Sequence, residues 1–165
     1  MATASAVGNA PVRMDGSDTI ASTYDPATLT QVVDLGERAG SMAELGADQL
    51  AVSEAYAEDH GFALGDPIEV GYPDGAVERP TVGAIYTEED LMGEVLLPMA
   101  AFRPHTAQPA DVVVLVTLAD GVSEADGELA VQQVADRFGA PDVQTSDEYV
   151  QSVAGEVDMM LNIVY

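Results

Sequence analysis

His60 and His105 are the only imidazoles in the chain. With no Cys present, they are the side chains best suited to activate a nucleophile or bind zinc. His60 ends the run Glu58-Asp59-His60 at an expected helix terminus, where the helix dipole favours a cation. His105 sits in the loop Arg103-Pro104-His105. Neither has the surrounding spacing of a zinc site or a catalytic triad, so both are read as surface histidines. The acidic runs Glu88-Glu89-Asp90 and Asp147-Glu148 have the oxygen ligands that a hard cation such as calcium takes. Neither follows the D-x-[DN]-x-[DN]-G spacing that wraps one ion, so both are read as solvated loops. The nucleophile elbow G-x-S-x-G, the phosphate loop G-x-x-x-x-G-K-[ST], G-x-G-x-x-G and H-E-x-x-H are all absent. No Lys occurs anywhere, which removes Schiff-base and phosphate-loop mechanisms. The expectation is a non-catalytic chain with no cofactor and no metal.

The charge narrows the partners. Twenty-nine acidic residues face five basic ones, all Arg, for a net charge of −24. Such a surface repels phosphate backbones and anionic lipid headgroups, so nucleic acid is not an expected partner. The charge serves solubility, and it also suits a segment on the outer side of a membrane, where the Lys/Arg excess of the inner side is missing. With 47% hydrophobic residues in 165, the chain can bury a sizeable core. The lack of Cys excludes disulfides, which fits the cytosol or the outside of a Gram-positive cell. No run approaches the ~20 apolar residues of a spanning helix. The start, MATASAVGNAPVR, has neither the basic nor the apolar region of a signal peptide.

The elements that would carry these residues follow from punctuation and periodicity. Residues 1–9 are small and weakly patterned and are expected to fray. Strands are expected at Pro11–Asp15 and Thr19–Tyr24, then a helix Ala27–Val33 opened by Asp25-Pro26, with Gly36 and Gly40 marking a loop. Gln49–Val52 reads as a strand, and Glu54–His60 as a helix capped by Ser53 and stopped by Gly61. Pro67–Tyr72 and Ala76–Tyr86 read as a hairpin about Asp74-Gly75. Pro80 demands an edge or a bulge in the return strand. Thr87–Gly93 is an acidic loop, Glu94–Leu97 a strand and Pro98–Phe102 a helical turn. The apolar run Val112–Leu118 reads as a strand covered on both faces. A helix Ser123–Phe138, with inward rows Val131/Ala135 and Ala130/Val134/Phe138, and a strand Val143–Thr145 complete a strand–helix–strand unit.

From Ser146 onward, Val150, Val153, Val157, Met160 and Val164 recur at intervals of 3, 4, 3 and 4, a seam of period 3.5. The sequence then turns apolar on all sides at Met159–Tyr165, with no glycine cap or basic last turn. One reading is a helix docked in its own domain. The favoured one is a stalk helix interrupted where it enters a bilayer, with those five residues as its interface.

Residues 8–165 resemble the extracytoplasmic, MacB-like core domain of FtsX-like ABC transporter permeases of the actinobacterial kind. The resemblance is carried in order along the chain. Asp25-Pro26-Ala27-Thr28-Leu29, Val32-Val33-Asp34-Leu35 and Ala39-Gly40-Ser41 come first. Leu50-Ala51-Val52-Ser53-Glu54 and Leu64-Gly65-Asp66-Pro67-Ile68 follow, then Pro73-Asp74-Gly75 with Thr81–Tyr86, and finally Leu161–Tyr165. It implies a dimeric permease with a cognate ABC ATPase, in which ATP-driven movement of membrane helices drives an outer domain. Export, release of a lipoprotein or lipid, or activation of an outside partner would be the output. An extracellular protein or peptide is the implied substrate, and the cell membrane's outer face the location. A stand-alone extracellular peptide- or protein-binding module is the alternative, and a cation-dependent hydrolase with a scattered acidic site ranks last.

The expected fold is α+β and two-lobed. Residues 49–97 form a small β-rich lobe, residues 1–48 and 98–145 a discontinuous α+β lobe, and residues 146–165 the stalk leading to a further membrane span.

Overall fold

The computed structural model describes residues 2–139, 143–145 and 148. The fold is α+β, and the chain divides into two compact units, residues 2–117 and the segment from Leu118 onward.

The first unit is built on one mixed sheet. Strands β1 (Thr3–Met14) and β2 (Ser17–Tyr24) form a hairpin closed by Asp15-Gly16, whose φ angles of 46° and 87° give the primed turn that matches strand twist. The turn therefore falls on an Asp-Gly pair, earlier than the expected Gly16–Asp18. After the hairpin, Asp25 accepts a hydrogen bond from Ala27 N at 2.9 Å and starts α1 (Pro26–Val32) with proline in the first turn. Next come β3 (Glu37–Gly40), a 3-10 turn at Met42–Glu44 and β4 (Gln49–Ser53). Ser53 accepts from Tyr56 N at 3.1 Å to cap α2 (Glu54–His60), and left-handed Gly61 ends it. The short pair β5 (Val70–Gly71) and β6 (Val77–Glu78) precedes β7 (Thr81–Tyr86), α3 (Glu89–Met92) and β8 (Val95–Pro98). Finally come α4 (Met99–Phe102), a 3-10 turn at Arg103–His105 and β9 (Asp111–Thr117).

Strand order is β3-β7-β4-β8-β2-β1-β5-β6, with β9 also on β1. Three expectations change here. Residues 3–8 do not fray, because β9 returns to pair with them from Thr3↔Thr117 to Gly8↔Asp111. The expected strand Ala76–Tyr86 breaks at Arg79-Pro80: β6 pairs with β5, while β7 moves away to pair with β3 and β4. Proline has no N–H to give a ladder, and the Pro80 carbonyl instead accepts from Ile68 N at 2.9 Å. The expected loop at Gly36–Gly40 contains β3, the outer strand on β7.

The sheet also runs through both boundaries expected at 48/49 and 97/98. Leu96 of β8 pairs in parallel with Ser22 of β2 and antiparallel with Ala51 of β4, so residues from both expected lobes share one hydrogen-bonded layer. The compact units separate after Thr117 instead.

Two apolar clusters cover opposite sides of this sheet. Leu50 and Val52 belong to one, with Val95, Leu97, Ala57 and Phe102; Ala51 and Leu96 belong to the other, with Leu29, Met42 and Tyr24. Alternation along β4 and β8 thus fills both faces. On β7, Val82 joins the first cluster but Ala84 and Tyr86 the second, although all three share parity. The pairing jumps from Leu50↔Val82 to Ala51↔Ala84, so Gly83 is an extra residue that flips the faces, a β-bulge. Gly40, at φ 74°, passes so close that a Cβ on it would collide with the Gly83 carbonyl oxygen. Tyr24 and Tyr86 are fully buried, and their hydroxyls donate to the carbonyls of Met42 and Gly93. Burial is the main cause of both phenols being held neutral well above their ordinary range, with nearby carboxylates adding to it.

In the second unit, Ser123 accepts from Asp126 N at 3.2 Å to cap α5 (Glu124–Phe138), which left-handed Gly139 closes. Val131 and Ala135 are half-buried as expected, whereas Ala130, Val134 and Phe138 are exposed. Val143–Thr145 is irregular rather than a strand, and Val143 N–H donates to the Gln132 carboxamide at 3.0 Å. The expected stalk positions Val150, Val153, Val157, Met160 and Val164 lie outside the described residues.

Leu96→Ala should lower stability by about 2–5 kcal/mol, because it opens a cavity against a sheet that cannot collapse around it. Urea unfolding with an unchanged m-value reads this. Gly40→Ala should destabilise by more than about 1 kcal/mol, since it combines a positive φ with a backbone clash. Equal urea midpoints for Gly40→Ala and the parent would contradict the close approach.

Candidate functional site

Three places hold the side chains that the sequence brings forward. His60 lies in the last turn of α2, exposed, with Nδ1 3.1 Å from the Tyr56 carbonyl oxygen and its ring stacked on Tyr56 at 4.1 Å. Phe62 continues the stack, its ring 6.0 Å from that of His60. Burial first, then the carboxylates of Asp15 and Glu94, raises the pKa of the Tyr56 hydroxyl. His60 is thus a helix-end residue held by its own helix.

His105 is not the surface residue expected. Its side chain is only 11% exposed, because the turn after α4 lays the ring on Tyr72, centroid to centroid 3.9 Å. Nδ1 is 2.9 Å from Asp74 Oδ2, and Nε2 is 3.4 Å from Glu78 Oε1. Both carboxylates come from the β5–β6 hairpin, about thirty residues earlier, so no local spacing announced them. Asp74 divides its oxygens: Oδ1 accepts from Ala76 N at 2.9 Å to set the hairpin turn, and Oδ2 faces the imidazole. These bonds, the backbone one foremost, hold the Asp74 carboxyl below the usual carboxylate range. Tyr72 is buried beside Phe102, and its hydroxyl has no hydrogen-bond partner among the described residues. Burial, reinforced by Glu78 and Asp74, pushes that phenol up to about 12. With a carboxylate at each ring nitrogen, the imidazole is placed for ion pairing rather than for chelation or for activating a hydroxyl.

The acidic runs resolve differently. Glu88-Glu89-Asp90 is a helical turn at α3 rather than a loop, with one oxygen of Glu89 buried and unpartnered among the described residues. Glu148 accepts from Thr145 N at 2.9 Å, so its carboxylate serves local backbone; Asp147 lies outside the described residues. Among the described residues, no group of three or more His, Asp or Glu side chains could hold a metal ion.

An unexpected exposed apolar row belongs to β9. Its apolar run was read as covered on both faces, yet Val112, Val114 and Val116 are 58%, 57% and 39% exposed. Only the alternate residues Val113 and Leu115 pack inward, against the cluster of Val7 and Leu29. The reason is topological: β9 lies at the margin of the sheet, and among the described residues its one ladder partner is β1. A shallow trough of about 610 Å³ lies elsewhere, lined by Pro11, Ile20, Tyr72, Pro73 and Val77 among others. No helix among the described residues is long and apolar enough to cross a membrane.

No family model matches the chain, and no curated protein matches it. Solved structures do share its fold. The periplasmic region of MacB from Actinobacillus actinomycetemcomitans superposes with a TM-score of 0.58 at 12% identity, covering 93% of this chain and 75% of that one. A domain ascribed to a permease protein from Porphyromonas gingivalis gives a TM-score of 0.52 at 17% identity, covering 83% and 69%. At these identities the likeness establishes a shared fold, the α+β architecture of the MacB periplasmic region.

Proposed function

We propose that this chain is the extracytoplasmic domain of an ABC transporter permease of the FtsX-like, MacB-like type. The observation that carries the reading is the shared fold across 93% of the chain with the periplasmic region of MacB. Fold by itself does not dictate function, so the surface must agree with the proposal. A net charge of −24 suits an outward-facing domain that avoids anionic lipid and nucleic acid. The side chains best placed for chemistry, His105 with Asp74 and Glu78, form an ion-pair cluster within a hairpin contact. In this reading the domain does no chemistry of its own. It moves with the membrane helices of its permease, driven by a cognate ATPase, and works beside a second permease copy. The load it moves would be an extracellular protein, peptide or lipoprotein.

A second reading, a stand-alone peptide-binding module, is favoured by one observation, the marginal strand β9 with its exposed valine row. Such a strand can accept an extended peptide by strand addition.

The gene and its neighbourhood separate the two. The permease reading expects membrane spans flanking the region and an ATP-binding cassette encoded nearby, and the ATPase should co-purify with the full-length product. A product lacking any membrane span would overturn it, and one that also bound extended peptides as a monomer would establish the second.

A further inference from the structure

The β5–β6 hairpin is held weakly by its own ladder. Each strand has two residues, and the pair meets β1 at Arg13↔Gly71 and Met14↔Val70, with the Asp15 N–H donating to the Glu69 carbonyl at 3.0 Å just beyond. Hairpins this short are marginal without outside contacts. Val70 and Tyr72 anchor its base in the core cluster, and the contact that reaches its turn and β6 is His105. Its ring lies flat on Tyr72 at the hairpin's base, with Asp74 of the turn at one nitrogen and Glu78 of β6 at the other.

The chemistry of imidazole makes this contact depend on protonation. Neutral imidazole carries one N–H donor and one bare lone pair, whereas imidazolium carries two donors. A carboxylate at each ring nitrogen is therefore matched only by the cation; in the neutral ring, one lone pair must face a carboxylate oxygen. We propose that His105 is a pH-sensitive clamp, which when protonated fastens the β5–β6 hairpin to the turn after α4 and when neutral lets the hairpin loosen.

The groups facing His105 support this sign. From the hairpin come Asp74, Glu78 and the phenol of Tyr72; Arg103, on the same turn as His105, is exposed to solvent. Asp74 stays ionised below the usual carboxylate range, and Tyr72 stays neutral up to about 12, so neither changes state while a histidine titrates. Histidine changes charge between about pH 5 and 8, where carboxylates are already ionised. The clamp is thus complete while the imidazole carries both protons and is lost as rising pH removes one. Of the chain's two histidines, only His105 touches the hairpin; His60 stacks on Tyr56.

Hydrogen exchange on the whole chain, with intrinsic rates corrected for pH, tests the proposal at the amides of Tyr72, Gly75, Ala76 and Val77. Protection at pH 5.5 should exceed that at pH 8 by about threefold, the size expected of a partly exposed ion pair. His105→Gln should abolish the difference, while His60→Gln should leave it intact. Glu78→Gln, an exposed and structurally mild change, should reduce the difference even if His105→Gln proves poorly folded. Protection that is equal at both pH values in the parent chain, or a difference that persists in Glu78→Gln and His105→Gln alike, would overturn the clamp.

Discussion

Residues 2–117 depend on β8. This strand is four residues long, yet it joins β2 on one edge and β4 on the other, and every one of its residues is buried. Without it, the hairpin β1–β2 with its neighbours β5, β6 and β9 would have no ladder to the group β3-β7-β4. Its pairing with β2 joins segments about seventy residues apart, so the loop-closure cost is met only when both apolar clusters assemble at once. That ties the strands on either side of β8 into one hydrogen-bonded layer. It also explains why the strands in the middle, β4 and β8, carry no charged residue in a chain that is otherwise strongly acidic. Among the described residues no Asp or Glu is buried as a whole, although one oxygen of Glu89 is, in keeping with the cost of burying charge.

Filling both faces of one sheet creates a second constraint, parity. A strand that alternates strictly can serve its two clusters only if its neighbours keep step. β7 does not keep step along its whole length, and Gly83 corrects it by inserting one residue between Val82 and Ala84. The correction needs a backbone with no side chains in the way, which is why Gly40 and Gly83 lie against one another where β3 meets β7. The buried phenols Tyr24 and Tyr86 then close the layer beneath α1 and α3, each with its hydroxyl satisfied by a backbone carbonyl.

The proposed function would draw on the margins of this sheet. A domain that transmits movement needs a body that does not deform and edges that can engage something else, and the sheet has that layout. The hairpin carrying Asp74 and Glu78 is attached to β1 by a ladder of two residue pairs, and β9 exposes valines at the other end of β1.

Local features were legible because local physics decides them. Asp25-Pro26, Ser53 and Ser123 begin helices wherever they are placed, since the cap bond closes within three residues. Gly61 ends α2 for the same kind of reason, and the absence of Lys and Cys removed whole classes of chemistry without any structure. What the sequence could not disclose is set by partners distant along the chain. The run VVVLVTL specifies a strand but not how many of its faces are covered, and its place at the sheet margin left Val112, Val114 and Val116 open. Residues 3–8 are patternless alone and are held in the sheet by β9 along their length and by β2 at Val7 and Gly8. His105 was unremarkable in Arg-Pro-His and became an ion-pair centre when the hairpin folded over it. Short-range hydrogen bonds and backbone sterics are written in neighbouring letters; burial, sheet edges and charge pairing are properties of the assembled surface.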